Sequence, residues 1–350
     1  MFINDTGKLD LIKRTWNMEE TGTVPYIIEV GHPHFATTAV YYDDAAELAW
    51  HEEHHRLRTG IADFYLPNIK PNLGISNLAA AFGCPLKTVD DADPWVGHLV
   101  SNQNPEAGRH IRKPRHEDNP VYARMIKRLA FLQDNSPLPL RLVNVASPLV
   151  TASLIWDYTD LMLALLLYPG EVHALLEVIT EATIDYVRLQ LSHIKRLYTM
   201  SHEAVALQPE IGLRISDDTA ALLSPALYRE FSARYNAKLA EAFGGVVVHS
   251  CGDCSRVVSA MLETPGLRGL DLTIPQNTSW EAIQPAVGRV ALSLRHYFWD
   301  HGPQALDPVE YTRKLLDCFG RRGVFIVTST ATFEEARSVG EKLWPLLGSH

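Results

Sequence analysis

The chain has 350 residues, 46 % of them hydrophobic and 21 % charged, with a formal net charge of -9. That acidic balance gives no electrostatic footprint for nucleic acid or an anionic membrane, so the expected partner is a small molecule. Four cysteines, Cys84, Cys251, Cys254 and Cys318, are too few for a disulfide scaffold, the opening MFINDTGKLDLIKRTW lacks the apolar core of a signal peptide, and no apolar run approaches the roughly 18 residues of a membrane span. A cytoplasmic protein is expected.

In chain order, short β-branched runs predict strands at 24–30, 63–69, 140–146, 204–210, 245–250, 268–273, 289–294 and 323–329. Helical segments fall between most of them, at 44–59, 118–133, 152–168, 171–199, 224–243, 307–320 and 333–347. Ser224-Pro225 and Asp307-Pro308 each supply an N-cap followed by proline at the first helical position. Residues 1–23 read as an N-terminal extension. Residues 70–117, rich in Pro, Gly, Asn, Asp and basic side chains, read as an irregular insertion of the kind that forms part of a lid. Strands alternating with helices predict an α/β fold, a single-domain (β/α)8 TIM barrel over 1–350.

In such a barrel the chemistry collects at the C-terminal ends of the strands. Glu29, His32 and His34 follow the first predicted strand, Asn144 and Ser147 the third, Glu210 and then Asp217 with Asp218 the fourth. His249 and Cys251 follow the fifth, Asp271 the sixth, His296 and Tyr297 the seventh, and 328–330 the eighth. The sharpest of these signals is GVVVHSCGDC at 245–254. An apolar strand ending in His249-Ser250-Cys251-Gly252 puts imidazole and thiol on one side of an extended backbone, and the glycine lets the chain turn away. Nitrogen and sulfur together suit a borderline-soft metal such as zinc.

A rival motif stands at His51-Glu52-Glu53-His54-His55, which satisfies the H-E-x-x-H pattern of zinc peptidases. No third-ligand motif follows it, and its helix is expected on the outside of the barrel. No glycine-rich phosphate loop and no G-x-S-x-G elbow is present.

The segment ISDDTAALLSPALYREFSARYNAKLAEAFGGVVVHSCGD resembles the core of the uroporphyrinogen decarboxylase superfamily, and specifically its methyltransferase branch, in which an S-P-x-x-[YF]-x-x-F helix precedes a strand ending in H-x-C-G. The earlier NVASPLVTASLIWDYTDLMLALLLYPGEVHALLEVITEA resembles that family's third-strand segment and the helices after it. The resemblance implies zinc held by His249 and Cys251, and methyl transfer between a substrate or thiol and a corrinoid on a separate cobalamin-binding protein. It also implies a further cysteine at the end of the last strand, where this chain has Val327-Thr328-Ser329-Thr330. Cys254, Asp217, Glu210 and His296 are the candidates to complete the site.

The resemblance places Asp217, rather than Asp218, toward the pocket as an orienting group. His296 and Tyr297 join it as catalytic candidates, with Glu29, His32, His34 and Asn144 against the substrate. The arginine-rich loop that clamps porphyrinogen carboxylates is replaced by Glu29-Val30-Gly31-His32-Pro33-His34, so a polycarboxylate substrate is not expected and the pocket should be neutral or acidic. Two alternatives remain open at this point. One is a metal-independent decarboxylase or lyase using Asp217 or Asp218 with His296 as acid and base; the other is a non-catalytic ligand-binding relative.

Overall fold

The computed structural model describes residues 4–31, 38–88, 93–274, 277–296 and 306–348. Six strands form one parallel sheet: β1 (Tyr26–Val30), β2 (Leu213–Ser216), β3 (Val246–Ser250), β4 (Leu267–Thr273), β5 (Ala291–His296) and β6 (Val324–Thr330), in the spatial order β1-β6-β5-β4-β3-β2. Every residue of β2, β3, β5 and β6 is buried, as expected of parallel strands whose two faces are both covered. The register aligns His249 with Asp271 and Asp271 with Ser293, so these three polar groups of neighbouring strands share one level.

The sheet curls, and its two edges are joined through irregular chain rather than through further ladders. From β1, Phe64 N donates to Tyr26 O at 2.8 Å; Arg141 N donates to Ile69 O at 2.8 Å; and Ser147 N donates to Ser216 O of β2 at 2.7 Å. Residues 63–69, expected as a strand, form only an isolated bridge from Ile69 to Leu140. The cause is in the side chains. Asp63 accepts the amides of Ile28 and Tyr65, Asn68 donates to Leu66 O, and Pro67 has no amide to offer a ladder. Of 140–146, Leu140–Arg141 alone is regular strand, paired in parallel with Leu197–Thr199.

The strand expected at 204–210 is instead a loop, and the sheet is re-entered at β2. Pro209 removes an amide, Leu207 N donates to the Thr199 hydroxyl, and Gly212 at φ 135° turns the chain so closely against Gly245 that a Cβ would lie 2.2 Å from its carbonyl oxygen.

The opposite end of the sheet is closed by α1 (Asp5–Trp16), whose first turn is capped by Asn4 accepting from Gly7 N. Its Trp16 ring packs 4.4 Å from Phe325 and donates Nε1–H to Ala206 O at 2.8 Å. Gly269 of β4 lies beneath that ring, where a Cβ would come within 2.7 Å of it. With the N-terminal ends of the strands sealed, access is left to the C-terminal ends.

The 70–117 segment is built from short pieces, a helix at Asn77–Ala81, an antiparallel pair Leu86–Lys87 with Trp95–Val96, and a helix at Ala107–His110. Among the described residues, no single helix is long and apolar enough to cross a membrane.

Candidate metal centre and cavity

The C-terminal ends of the strands open into a cavity of about 450 Å³, reached by Glu29 of β1, Ser216 of β2, His249 of β3 and Thr273 of β4. At its rim His249, Cys251 and Asp218 bring one nitrogen, one sulfur and one carboxylate oxygen within 4.8 Å of one another. His249 Nδ1 lies 2.9 Å from Asp271 O; a carbonyl can only accept, so the proton is fixed on Nδ1. Nε2 then faces the Cys251 sulfur at 3.0 Å. This is the arrangement by which a backbone acceptor prepares a histidine to bind a metal through its other nitrogen.

Burial pushes the His249 imidazolium down most strongly, but the neighbouring Cys251 and Asp271 outweigh it and bring the group up to about 10. A divalent cation at Nε2 would replace that proton. Cys251 is held by its own amide donating to Asp218 Oδ1 at 2.8 Å, which also brings that oxygen 4.0 Å from His249 Nε2. Gly252 is set by close packing, since a Cβ there would lie 2.4 Å from the Ala221 methyl in the helical turn that carries Asp218.

The two adjacent aspartates occupy the reverse of their expected places. Asp217 is fully buried away from the cavity, accepting from the hydroxyls of Ser147 and Ser232 and from Asn236 Nδ2, while its amide donates to His249 O at 2.7 Å. Burial, partly offset by those three donors, raises its carboxyl. Asp218 lines the cavity. The alternation of side chains along a strand fails as a guide because β2 ends at Ser216 and Asp218 already begins a 3-10 turn, Asp218–Leu222.

The other candidates separate just as clearly. Cys254 is buried, its thiol pushed up to about 12 by desolvation, and it lies outside the donor cluster. Glu210 is an exposed partner of Lys13 on α1. His296 is buried with its ring stacked on Tyr311 at 4.7 Å and does not line the cavity, which removes both His296 and Asp217 from the acid–base pairing considered above. Glu29 and Asn144 do line it, and Glu29 Oε2 and Asn144 Oδ1 are buried with no hydrogen-bond partner among the described residues. His32, His34 and Tyr297 lie outside the described residues.

The H-E-x-x-H helix, α2 (Asp44–Leu57), is not on the outside. His51 and His54 line the cavity with Trp50. Yet His51 Nε2 donates to Lys70 O at 3.1 Å and His55 Nε2 to Asn68 O at 2.8 Å, while the Tyr65 hydroxyl occupies His55 Nδ1 at 3.0 Å. These nitrogens fasten α2 to the chain after Tyr65 and are not turned toward a common ion.

Sequence reasoning missed a buried charged cluster that reaches the cavity through Glu203. Arg214 and Arg295, inward from β2 and β5, converge on Asp271 at 2.6 and 2.5 Å, and Arg295 reaches Glu203 at 3.3 Å. Although burial opposes ionisation, the two guanidinium groups hold the Asp271 and Glu203 carboxyls well below the usual carboxylate range. An arginine inside an otherwise apolar run, as in LRIS and ALSLRH, was the available signal. The cavity also carries Arg58, Lys70 and Arg141 beside the carboxyls of Glu29, Glu47, Asp93, Glu203 and Asp218, so its lining mixes both signs with acids in the majority; the residues after Gly31, on which the expected neutral or acidic pocket rested, lie outside the described residues up to Thr38.

No curated protein matches the sequence. Among solved structures, a methyltransferase from Methanosarcina mazei is similar over 98 % of this chain and 100 % of its own, with a TM-score of 0.69 at 15 % identity. A candidate vitamin-B12 independent methionine synthase from Listeria monocytogenes is similar over 93 % and 99 %, with a TM-score of 0.52 at 10 % identity. At such identities the likeness concerns the fold. A family profile, uroporphyrinogen decarboxylase (URO-D), matches residues 64–291, and the chain belongs to that family.

Proposed function

We propose that the protein is a zinc-assisted methyltransferase that moves a methyl group between a small-molecule substrate or thiol and a corrinoid carrier on a separate cobalamin-binding protein. The observation that carries this reading is the meeting of Asp218, His249 and Cys251 at the rim of a closed-bottomed cavity. Their oxygen, nitrogen and sulfur donors fit zinc, and three protein ligands leave a fourth position for substrate. Support also comes from the methyltransferase among the similar folds. In the same reading, the irregular 63–69 and 140–146 segments complete a (β/α)8 barrel, in which all these groups share one end.

Zinc held there would lower the proton affinity of a substrate thiol and keep it nucleophilic near neutral pH. The chain's own residues do the rest. Asp271 O fixes the His249 tautomer, Asp217 anchors the turn that presents Asp218, and Glu29 and Asn144 orient the substrate within the cavity. The large side chains of Trp50 and Tyr65 restrict water.

The test is zinc content together with methyl transfer from methylcobalamin to a small thiol. About one zinc per chain and a methylated thiol, both lost in His249→Ala, are the expected results. Zinc-free protein, or activity unchanged in His249→Ala, would remove the reading.

A further inference from the structure

Three cations line the cavity, and they are treated differently. Arg58 is neutralised by Asp63 at 2.5 Å. Around the cavity, Arg128, Arg214 and Arg295 are likewise paired with carboxylates. Lys70 and Arg141 have no carboxylate within 4.0 Å among the described residues. Arg141 spends Nε on Asn68 Oδ1 and Nη1 on His202 O at 3.3 Å, both neutral acceptors. The backbone of Lys70 is pinned by His51 donating to its carbonyl, and among the described residues its ammonium makes no hydrogen bond or ion pair.

The nearby acids do not meet this need. Glu203 is engaged by Arg295 at 3.3 Å, Asp93 accepts from Asn72 Nδ2 at 3.1 Å, and Glu29, 3.7 Å from Arg295, has its carboxyl raised by burial toward the neutral form. Desolvation, helped by the positive charge of Arg141, holds the Lys70 ammonium below its ordinary range despite the pull of Glu203, Asp93 and Glu29. Two like charges side by side in a poorly solvated space are unfavourable unless an anion is shared between them.

We propose that Lys70 and Arg141 form the anion subsite of this cavity and bind the carboxylate of a small organic acid. Ile27, Val30, Ile75, Trp50 and Tyr65 supply the apolar surface for the rest of the molecule. A carboxylate is favoured over a larger dianion because two of the guanidinium N–H groups of Arg141 are already committed, leaving one lysine charge and part of a fork. The subsite lies in the cavity wall and not among the metal donors, so it stands independently of methyl transfer.

The test uses the full chain stripped of metal with chelator. Isothermal titration calorimetry at constant ionic strength compares benzoate with its neutral counterpart benzyl alcohol, and with methanesulfonate and inorganic phosphate. Saturable binding of benzoate, at least about tenfold tighter than benzyl alcohol and weakened at least about tenfold in Lys70→Met and in Arg141→Gln, is the expected result. The two substitutions are made separately, so that a variant that fails to fold leaves the other to decide. Benzoate binding no tighter than benzyl alcohol, or unchanged in the folded variants, overturns the subsite. Tighter binding of methanesulfonate or phosphate overturns the carboxylate assignment. Absence of methyl transfer in the zinc-loaded protein, with benzoate binding intact, would sink the methyltransferase reading and leave this one standing.

Discussion

Two histidine motifs face the same cavity, and only one is arranged for a metal. On α2, His51 and His55 give their Nε2 protons to backbone carbonyls, and burial keeps the rings neutral. At the end of β3, His249 gives its Nδ1 proton to a backbone carbonyl and turns Nε2 toward Cys251, with Asp218 close by. The sequence pattern H-E-x-x-H is the more specific of the two as a string. The difference in function follows from which ring nitrogen the backbone takes, and that is decided by chain far away in sequence, at Lys70, Asn68 and Asp271.

The sharpest way to break this comparison is to remove each motif in turn. His249→Ala should lower zinc affinity by more than about a hundredfold, beyond the 10–100-fold typical of an outer-shell loss, with methyl transfer falling alongside. The double substitution His51→Gln and His55→Gln keeps a donor for each carbonyl and should leave zinc stoichiometry unchanged. Metal analysis after dialysis against a competing chelator reads both; the reverse outcome would restore the peptidase motif.

Next in size is the split between neighbours. Asp218→Asn keeps an oxygen but removes the charge of a direct donor, and should weaken zinc binding at least about tenfold while leaving the unfolding midpoint within a few degrees of wild type. Asp217→Asn should cost about 1–3 kcal/mol of stability, because a buried acceptor that holds Ser147, Ser232 and Asn236 is replaced by a group with one donor end facing donors. Its effect on zinc should come only through that loss. Denaturant melts beside metal titrations separate the two, and equal behaviour of the pair contradicts the assignment.

Smaller again is Gly252→Ala. The added methyl must displace Ala221 and the turn bearing Asp218, at a cost of about 1–3 kcal/mol. Shortening the neighbour with Ala221→Gly in the same chain should recover most of it, which a double-mutant cycle would measure.

The same comparison extends to pH. Burial holds His51 and His54 down to about 3 and His55 to about 4, against an ordinary value of 6.5. The unfolded chain therefore takes up protons that the folded chain refuses between about 6.5 and 3. The stability from these rings is complete above about 6.5 and is lost as pH falls below it. The double substitution on α2 should flatten this acid limb, whereas Asp218→Asn should not alter it.

Much of the fold was legible because apolar β-branched runs mark buried parallel strands; β1, β3, β4, β5 and β6 fall where the runs are. The runs at 63–69 and 204–210 misled because each contains a proline, and because Asp63, Asn68 and Thr199 satisfy backbone groups that a ladder would otherwise use. His249 and Cys251 were legible from local spacing alone. Asp218 was not, since the end of β2 at Ser216 and the turn after it decide which aspartate faces the rim. The paired and unpaired cations of the cavity were equally hidden, because pairing is a relation between distant segments.

The central claim is the identity of the three metal donors, and X-ray absorption at the zinc edge of the zinc-loaded protein tests it most directly. The account predicts one sulfur at about 2.3 Å, from Cys251, with nitrogen and oxygen neighbours at about 2.0–2.2 Å and the sulfur lost in Cys251→Ser. Two sulfurs would bring Cys254 into the site and displace Asp218; no sulfur would place the zinc elsewhere and contradict the account.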